Sequence, residues 1–129
     1  MPSSADQSFP PKARMHSKKE FDRVIRKGVQ VSDALLRLRV LASEDGGETR
    51  LGITIGRKAG RAVRRNRVRR LIREAFRAIR SELPPGLDVV VFPLTQSRDD
   101  PFHLEDVKES LTRLVGKAGR RLEERKPRR

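Results

Sequence analysis

The chain has 129 residues, of which 35% are hydrophobic, enough for one domain with a modest core. Lysine and arginine number 31 against 17 acidic residues, a formal charge of +14, and self-repulsion of that size calls for a polyanionic partner, either nucleic acid or an anionic membrane surface. The lack of cysteine excludes a disulfide framework and a thiolate metal site, and no apolar run approaches the roughly 20 residues of a transmembrane helix, so a soluble, cytoplasmic protein is expected.

Residues 1–14 are rich in Pro and Ser without periodicity and read as a disordered lead. At SKKEFDRVIRKG the pattern turns helical. Ser17 and Glu20 have capping-box spacing, Phe21, Val24 and Ile25 form an apolar stripe, and Gly28 sits where a helix stops. In ALLRLRVLA, Leu36, Leu38 and Val40 alternate with Arg37 and Arg39, which predicts a strand with one buried and one partly basic face. EDGGE is a turn, and TRLGITIG resumes the alternation as an antiparallel partner of the preceding strand.

VRRLIREAFRAIR places Val68, Leu71, Ile72, Ala75, Phe76 and Ile79 on one helical face, with Arg69, Arg73, Arg77 and Arg80 roughly opposite. LPPG ends this helix. LDVVVFP reads as a short strand buried on both faces, and Phe76 and Phe92 as packing residues. The last helix takes Asp100 as its cap and Pro101 as its first residue, with Leu104, Val107, Leu111, Leu114 and Val115 as its core stripe. The order is helix, two or three strands, helix, strand, helix, and residues 123–129 read as a disordered basic tail.

From Arg57 to Arg80 there are eleven basic residues and one acidic residue, Glu74. A solvated amphipathic helix normally mixes signs, because like charges at i, i+4 destabilise it. Cations in the first turn also oppose the helix dipole. A bound polyanion accounts for this arrangement better than a passive surface does. Arginine suits the task, since its planar fork grips phosphate and stacks on bases. Asn66 serves equally as a helix N-cap or as an amide that bonds a base edge or a backbone oxygen near phosphates, and Phe21 either as core or as a half-exposed stacking surface. His16 and His103 have no supporting acid–base pattern, and Asp99 and Asp100 do not make a two-metal carboxylate set.

LGITIGRKAGRAVRRNRVRRLIREAFR, residues 51–77, resembles the signature of the bacterial ribonuclease P protein family, and the flanking segments extend the resemblance over roughly residues 13–122. The resemblance implies a single-domain α+β two-layer sandwich (residues 15–122) around a four-stranded sheet, with a left-handed crossover through the arginine helix. It implies RNA contacts at Arg57, Lys58, Arg61, Arg65, Asn66, Arg67, Arg69, Arg70 and Arg73. A cleft for the 5′ leader of precursor tRNA is implied at Phe21, Ile25, Arg37 and Arg39. Ile25 stands where the family commonly has an aromatic, and Arg39 where a tyrosine can stand, which shifts the expected leader contact from stacking toward electrostatics.

The function so implied is that of a protein subunit of a ribonucleoprotein endonuclease. It binds the catalytic RNA and the leader and assists leader removal, with no protein-only active site. Mg²⁺ is held mainly by RNA phosphates. No membrane and no obligate protein partner are expected. The rival readings are a structural RNA binder of ribosomal-protein type and a protein nuclease acting alone. A helix-turn-helix DNA binder fits less well, because a strand follows the basic helix.

Overall fold

A computed structural model of the chain describes residues 14–15, 17–56, 60–94 and 103–125. Helix α1 (Lys18–Lys27) begins with the expected capping box: the Ser17 hydroxyl accepts from the Glu20 amide, and the Glu20 carboxylate accepts from the Ser17 amide. Gly28 ends the helix in an extended conformation, with φ −73°, so it is not there for left-handed freedom. A Cβ at Gly28 would lie 2.5 Å from the Val24 carbonyl oxygen, and close approach is what requires glycine.

The chain continues into β1 (Val29–Ser32), β2 (Leu36–Ala42), β3 (Arg50–Ile53), α2 (Ala62–Ile79), a 3₁₀ turn (Arg80–Glu82), β4 (Leu87–Pro93) and α3 (Leu104–Arg125). The four strands form one mixed sheet in the order β1-β2-β4-β3. The antiparallel pairing expected between β2 and β3 does not occur. β4 takes that edge of β2, antiparallel from Leu36↔Pro93 to Ala42↔Leu87, and β3 lies outside β4 in parallel register from Arg50↔Asp88 to Ile53↔Val91. The reason is burial: the first five residues of β4 are all buried, so this apolar strand occupies the sheet interior and the four-residue β3 goes to the edge. The chain enters along that edge, where Arg14 bridges Leu51 and the Met15 amide donates to the Leu51 carbonyl. β3 and β4, being parallel, are joined by a crossover through α2.

The main core lies between the sheet and the helices α2 and α3. It takes Leu36, Leu38, Val40, Val89 and Val91 from the strands, Val68, Ile72, Phe76 and Ile79 from α2, and Val107, Leu111, Leu114 and Val115 from α3. On the reverse face α1 covers a smaller cluster of Met15, Val24 and Val90, against which Phe21, Ile25, Leu41 and Phe92 pack. Two polar anchors fix the connections. The Thr49 hydroxyl donates to the Pro84 carbonyl and accepts from the Leu87 amide. Asp33 accepts from the Leu35 and Leu36 amides, the Ser110 hydroxyl and Arg113, tying the β1–β2 turn to α3.

Helix α2 starts at Ala62 with Arg61 at its N-cap, so Asn66 lies within the helix and is not its cap. Alanine and arginine are strong helix formers, and the helix reaches back through them without a capping side chain. Helix α3 is described from Leu104, and its expected start at Asp100 and Pro101 lies outside the described residues. It continues to Arg125, so the expected tail boundary at residue 122 falls inside the helix.

Candidate nucleic-acid interface

Arg61, Arg65, Arg69, Arg73 and Arg77 repeat at i, i+4 along α2 and its N-cap, forming a ladder of like charge over its whole length. Each such pair opposes helix formation by about 0.2–0.5 kcal/mol. The N-cap side chain makes no capping hydrogen bond and no acidic residue stands in the first turn, so the positive end of the helix dipole adds to the guanidinium field. Arg77 is within 4.0 Å of Glu74. Arg61, Arg64, Arg65, Arg67, Arg69, Arg70 and Arg73 have no carboxylate partner among the described residues. Asn66 is exposed on this surface, its Oδ1 accepting from Arg69 Nη1 at 3.0 Å. Arg57 and Lys58 lie outside the described residues.

A second basic surface lies on the reverse face of the sheet beside α1. Arg37 and Arg39 project to the same side as Val90 and Phe92, and α1 brings Phe21 and Ile25 onto that side. The four expected cleft residues are thus brought together, but they are not equivalent. Phe21 stands end-on against the sheet: a Cβ at Gly52 would lie 2.6 Å from its Cζ, so the ring tip occupies a notch that only glycine leaves open. Arg39 is half-buried and donates from Nη1 to the Gly28 carbonyl at 3.3 Å. Arg37 is exposed, with its guanidinium carbon 5.3 Å from the centroid of the Phe92 ring. Phe92 is a packing residue, as expected, but only half-buried, and it packs on this face against the Met15, Val24 and Val90 cluster. The reading of β4 as buried on both faces misses that half-exposure, and the Arg37–Phe92 pairing follows only from the β2–β4 register, which no single segment displays.

A cavity of about 230 Å³ lies at the β3 edge of the sheet. It is lined by Arg14, Met15, Phe21, Leu51, Gly52, Ile53 and Arg73, so α2 contributes one ladder arginine, Arg73, and α1 its aromatic ring. Burial, and then the nearby charges of Arg14 and Arg69, hold the Arg73 guanidinium below its ordinary pKa. Cations gathered in this way favour an anion between them. His103 is exposed at the start of α3, and His16 lies outside the described residues. Among the described residues no three His, Cys, Asp or Glu side chains gather closely enough to hold a metal ion.

A four-stranded mixed sheet with a polycationic crossover helix and a second basic surface beside α1 defines a small α+β protein whose exposed chemistry suits an extended polyanion. The family model described as Ribonuclease P matches residues 9–119, and the chain belongs to the ribonuclease P protein family. It is 35% identical over 105 residues to the ribonuclease P protein component of Shouchella clausii, covering 81% of this chain and 84% of that one. It is 37% identical over 99 residues to the component from Chlamydia trachomatis serovar L2, covering 77% and 82%. The solved RNase P protein from Thermotoga maritima superposes with a TM-score of 0.73 at 27% identity, covering 81% of this chain and 96% of that one.

Proposed function

We infer that the chain is the protein subunit of a bacterial ribonuclease P, which binds the catalytic RNA and the 5′ leader of precursor tRNA and assists removal of that leader. The observation that carries this reading is the arginine-rich helix α2 with its N-cap, seven of whose guanidinium groups have no carboxylate partner among the described residues, in a chain of this family. The ladder meets phosphate oxygens of the catalytic RNA, which relieves its self-repulsion on assembly. The cleft beside α1 receives the single-stranded leader through Arg37 and Arg39, with Phe21 and Ile25 forming its wall.

The protein supplies no nucleophile in this reading. Mg²⁺, a hard ion, suits RNA phosphate oxygens, which would hold it in this reading. The chain's own work is to bind and to discriminate. Precursor and mature tRNA share the folded tRNA body and differ by the leader, so uniform strengthening of both gives no discrimination and a leader contact does. The setting is cytoplasmic, and among the described residues no helix is long and apolar enough to cross a membrane.

The test compares holoenzyme affinity for precursors with leaders shortened stepwise, with and without the protein. The protein-dependent gain vanishes with the leader if the reading holds. A gain that is the same for leaderless tRNA contradicts the leader contact. Cleavage of precursor by the protein freed of RNA contradicts the assignment of chemistry to the RNA.

A further inference from the structure

We propose that Arg37 and Phe92 together form a base-stacking platform in the cleft, with the guanidinium plane held over the Phe92 ring and its outer face presented to one base of a single-stranded RNA. The proposal rests on the reading that the leader lies in this cleft, and it assigns the contact that holds a base there.

Four observations lead to the pair. Arg37 and Phe92 are direct cross-strand partners of β2 and β4, and the guanidinium carbon lies over the π face, 5.3 Å from the ring centroid, within cation–π range. Arg37 has no hydrogen-bond or carboxylate partner among the described residues, which leaves its donors and its outer face uncommitted. The other members of the cleft are committed: the Phe21 ring tip is wedged over Gly52, Ile25 is aliphatic, and Arg39 is half-buried and bonded to the Gly28 carbonyl. In the same cross-strand row, Ser32 lies opposite Arg37, and Thr54, whose amide bonds the Val91 carbonyl, flanks Phe92; both are small and exposed, leaving room above the guanidinium.

A guanidinium plane stacks on any base, so the contact is tolerant of sequence and specific for position. Phe92 acts through Arg37 as a positioning residue: it fixes the plane before the RNA arrives and lowers the ordering cost of the contact. The chain has an aliphatic residue at 25 and an arginine at 39, and Phe92 restores an aromatic contribution from a different strand.

The experiment uses holoenzyme reconstituted with the catalytic RNA and precursor tRNAs that carry a single abasic residue at successive leader positions, with dissociation constants measured for the wild-type protein, Arg37→Lys and Phe92→Leu. Removing the base at one leader position weakens wild-type binding about fivefold or more, the low end for a stacked base. Arg37→Lys, which keeps the charge and loses the plane, weakens the intact leader by a similar factor and makes that abasic substitution silent. Phe92→Leu, which keeps apolar bulk, shows a partial loss at the same position. Leader-dependent affinity with an abasic penalty unchanged by Arg37→Lys overturns the platform and leaves Arg37 as a phosphate contact, with the leader reading intact. A protein-dependent gain insensitive to leader length overturns both. Arg37 is exposed, so the lysine variant folds and keeps the test decisive even where Phe92→Leu perturbs the sheet.

Discussion

Arg50 donates from Nε and Nη2 to the two carboxylate oxygens of Asp88, each at 2.9 Å, at the point where the parallel pair β3–β4 begins. Asp88 is 1% exposed. The same guanidinium donates from Nη1 to Glu20, whose other oxygen closes the capping box of α1, and Arg23 of α1 lies 3.6 Å from Asp88. One buried carboxylate thus ties α1 to both inner and edge strands. Hydrogen bonding to Asp88, against a smaller opposing effect of burial, holds Arg50 firmly protonated. Arg50→Ala leaves Asp88 buried with only the more distant Arg23, and is expected to cost about 3 kcal/mol of stability. Urea denaturation checks this, and a midpoint unchanged from wild type contradicts it.

Burial pushes the Asp33 carboxyl up, but the Ser110 hydroxyl, the Leu36 and Leu35 amides and Arg113 together outweigh it and hold the group below its ordinary value. A carboxyl depressed in the folded state stabilises the fold above its unfolded pKa, and the contribution fades as pH falls through the folded one. Wild type is therefore more stable than Asp33→Asn near neutrality, and the gap narrows on acidification below about pH 4. Melting temperatures of the two proteins from pH 7 to pH 2 test the sign, and a gap that widens toward acid contradicts it.

Arg73 shows where stability and binding conflict. Its guanidinium faces Arg69 one turn away and Arg14 across the cavity. Arg73→Gln relieves like-charge contacts worth a few tenths of a kcal/mol each, so the free protein in low salt melts slightly higher while its affinity for the catalytic RNA falls. Sulfate or phosphate raises the wild-type melting temperature by mass action, and raises that of Arg73→Gln less. A variant that melts lower than wild type in low salt, or equal anion responses in the two proteins, contradicts the account.

Gly52→Ala places a Cβ 2.6 Å from the Phe21 ring tip. Displacing a half-buried ring from its notch is expected to destabilise the protein by about 1–3 kcal/mol and to open the α1 side of the cleft. A denaturation midpoint and a crystal structure of the variant check the two parts, and an unmoved ring with unchanged stability contradicts both.

Local chemistry was legible in the sequence where one segment carries the whole signal. The Ser17–Glu20 box, the apolar stripe of α2 and the buried run of β4 need no partner to be recognised. Pairing was not legible, because the alternation in TRLGITIG says which residues face inward and nothing of which strand lies alongside. β3 looked like the hairpin partner of β2, yet β4, with no polar residue between Asp88 and Pro93, is the strand the sheet buries. The start of α2 stayed open because Asn66 is the one residue there of capping type, whereas the helix begins earlier without a side-chain cap. Of the candidate site, the ladder could be read from spacing alone. The Arg37–Phe92 contact joins residues 55 positions apart in sequence and exists only through the β2–β4 register.

The central claim, that the α2 ladder is neutralised by RNA phosphates, is tested most directly by the salt dependence of protein binding to the catalytic RNA. With about five phosphates neutralised, log K falls against log salt with a slope of roughly −3.5 to −4.5. Arg65→Gln, Arg70→Gln and Arg73→Gln combined reduce that slope by about two to three. A wild-type slope near zero, or a triple variant with the wild-type slope, contradicts the account.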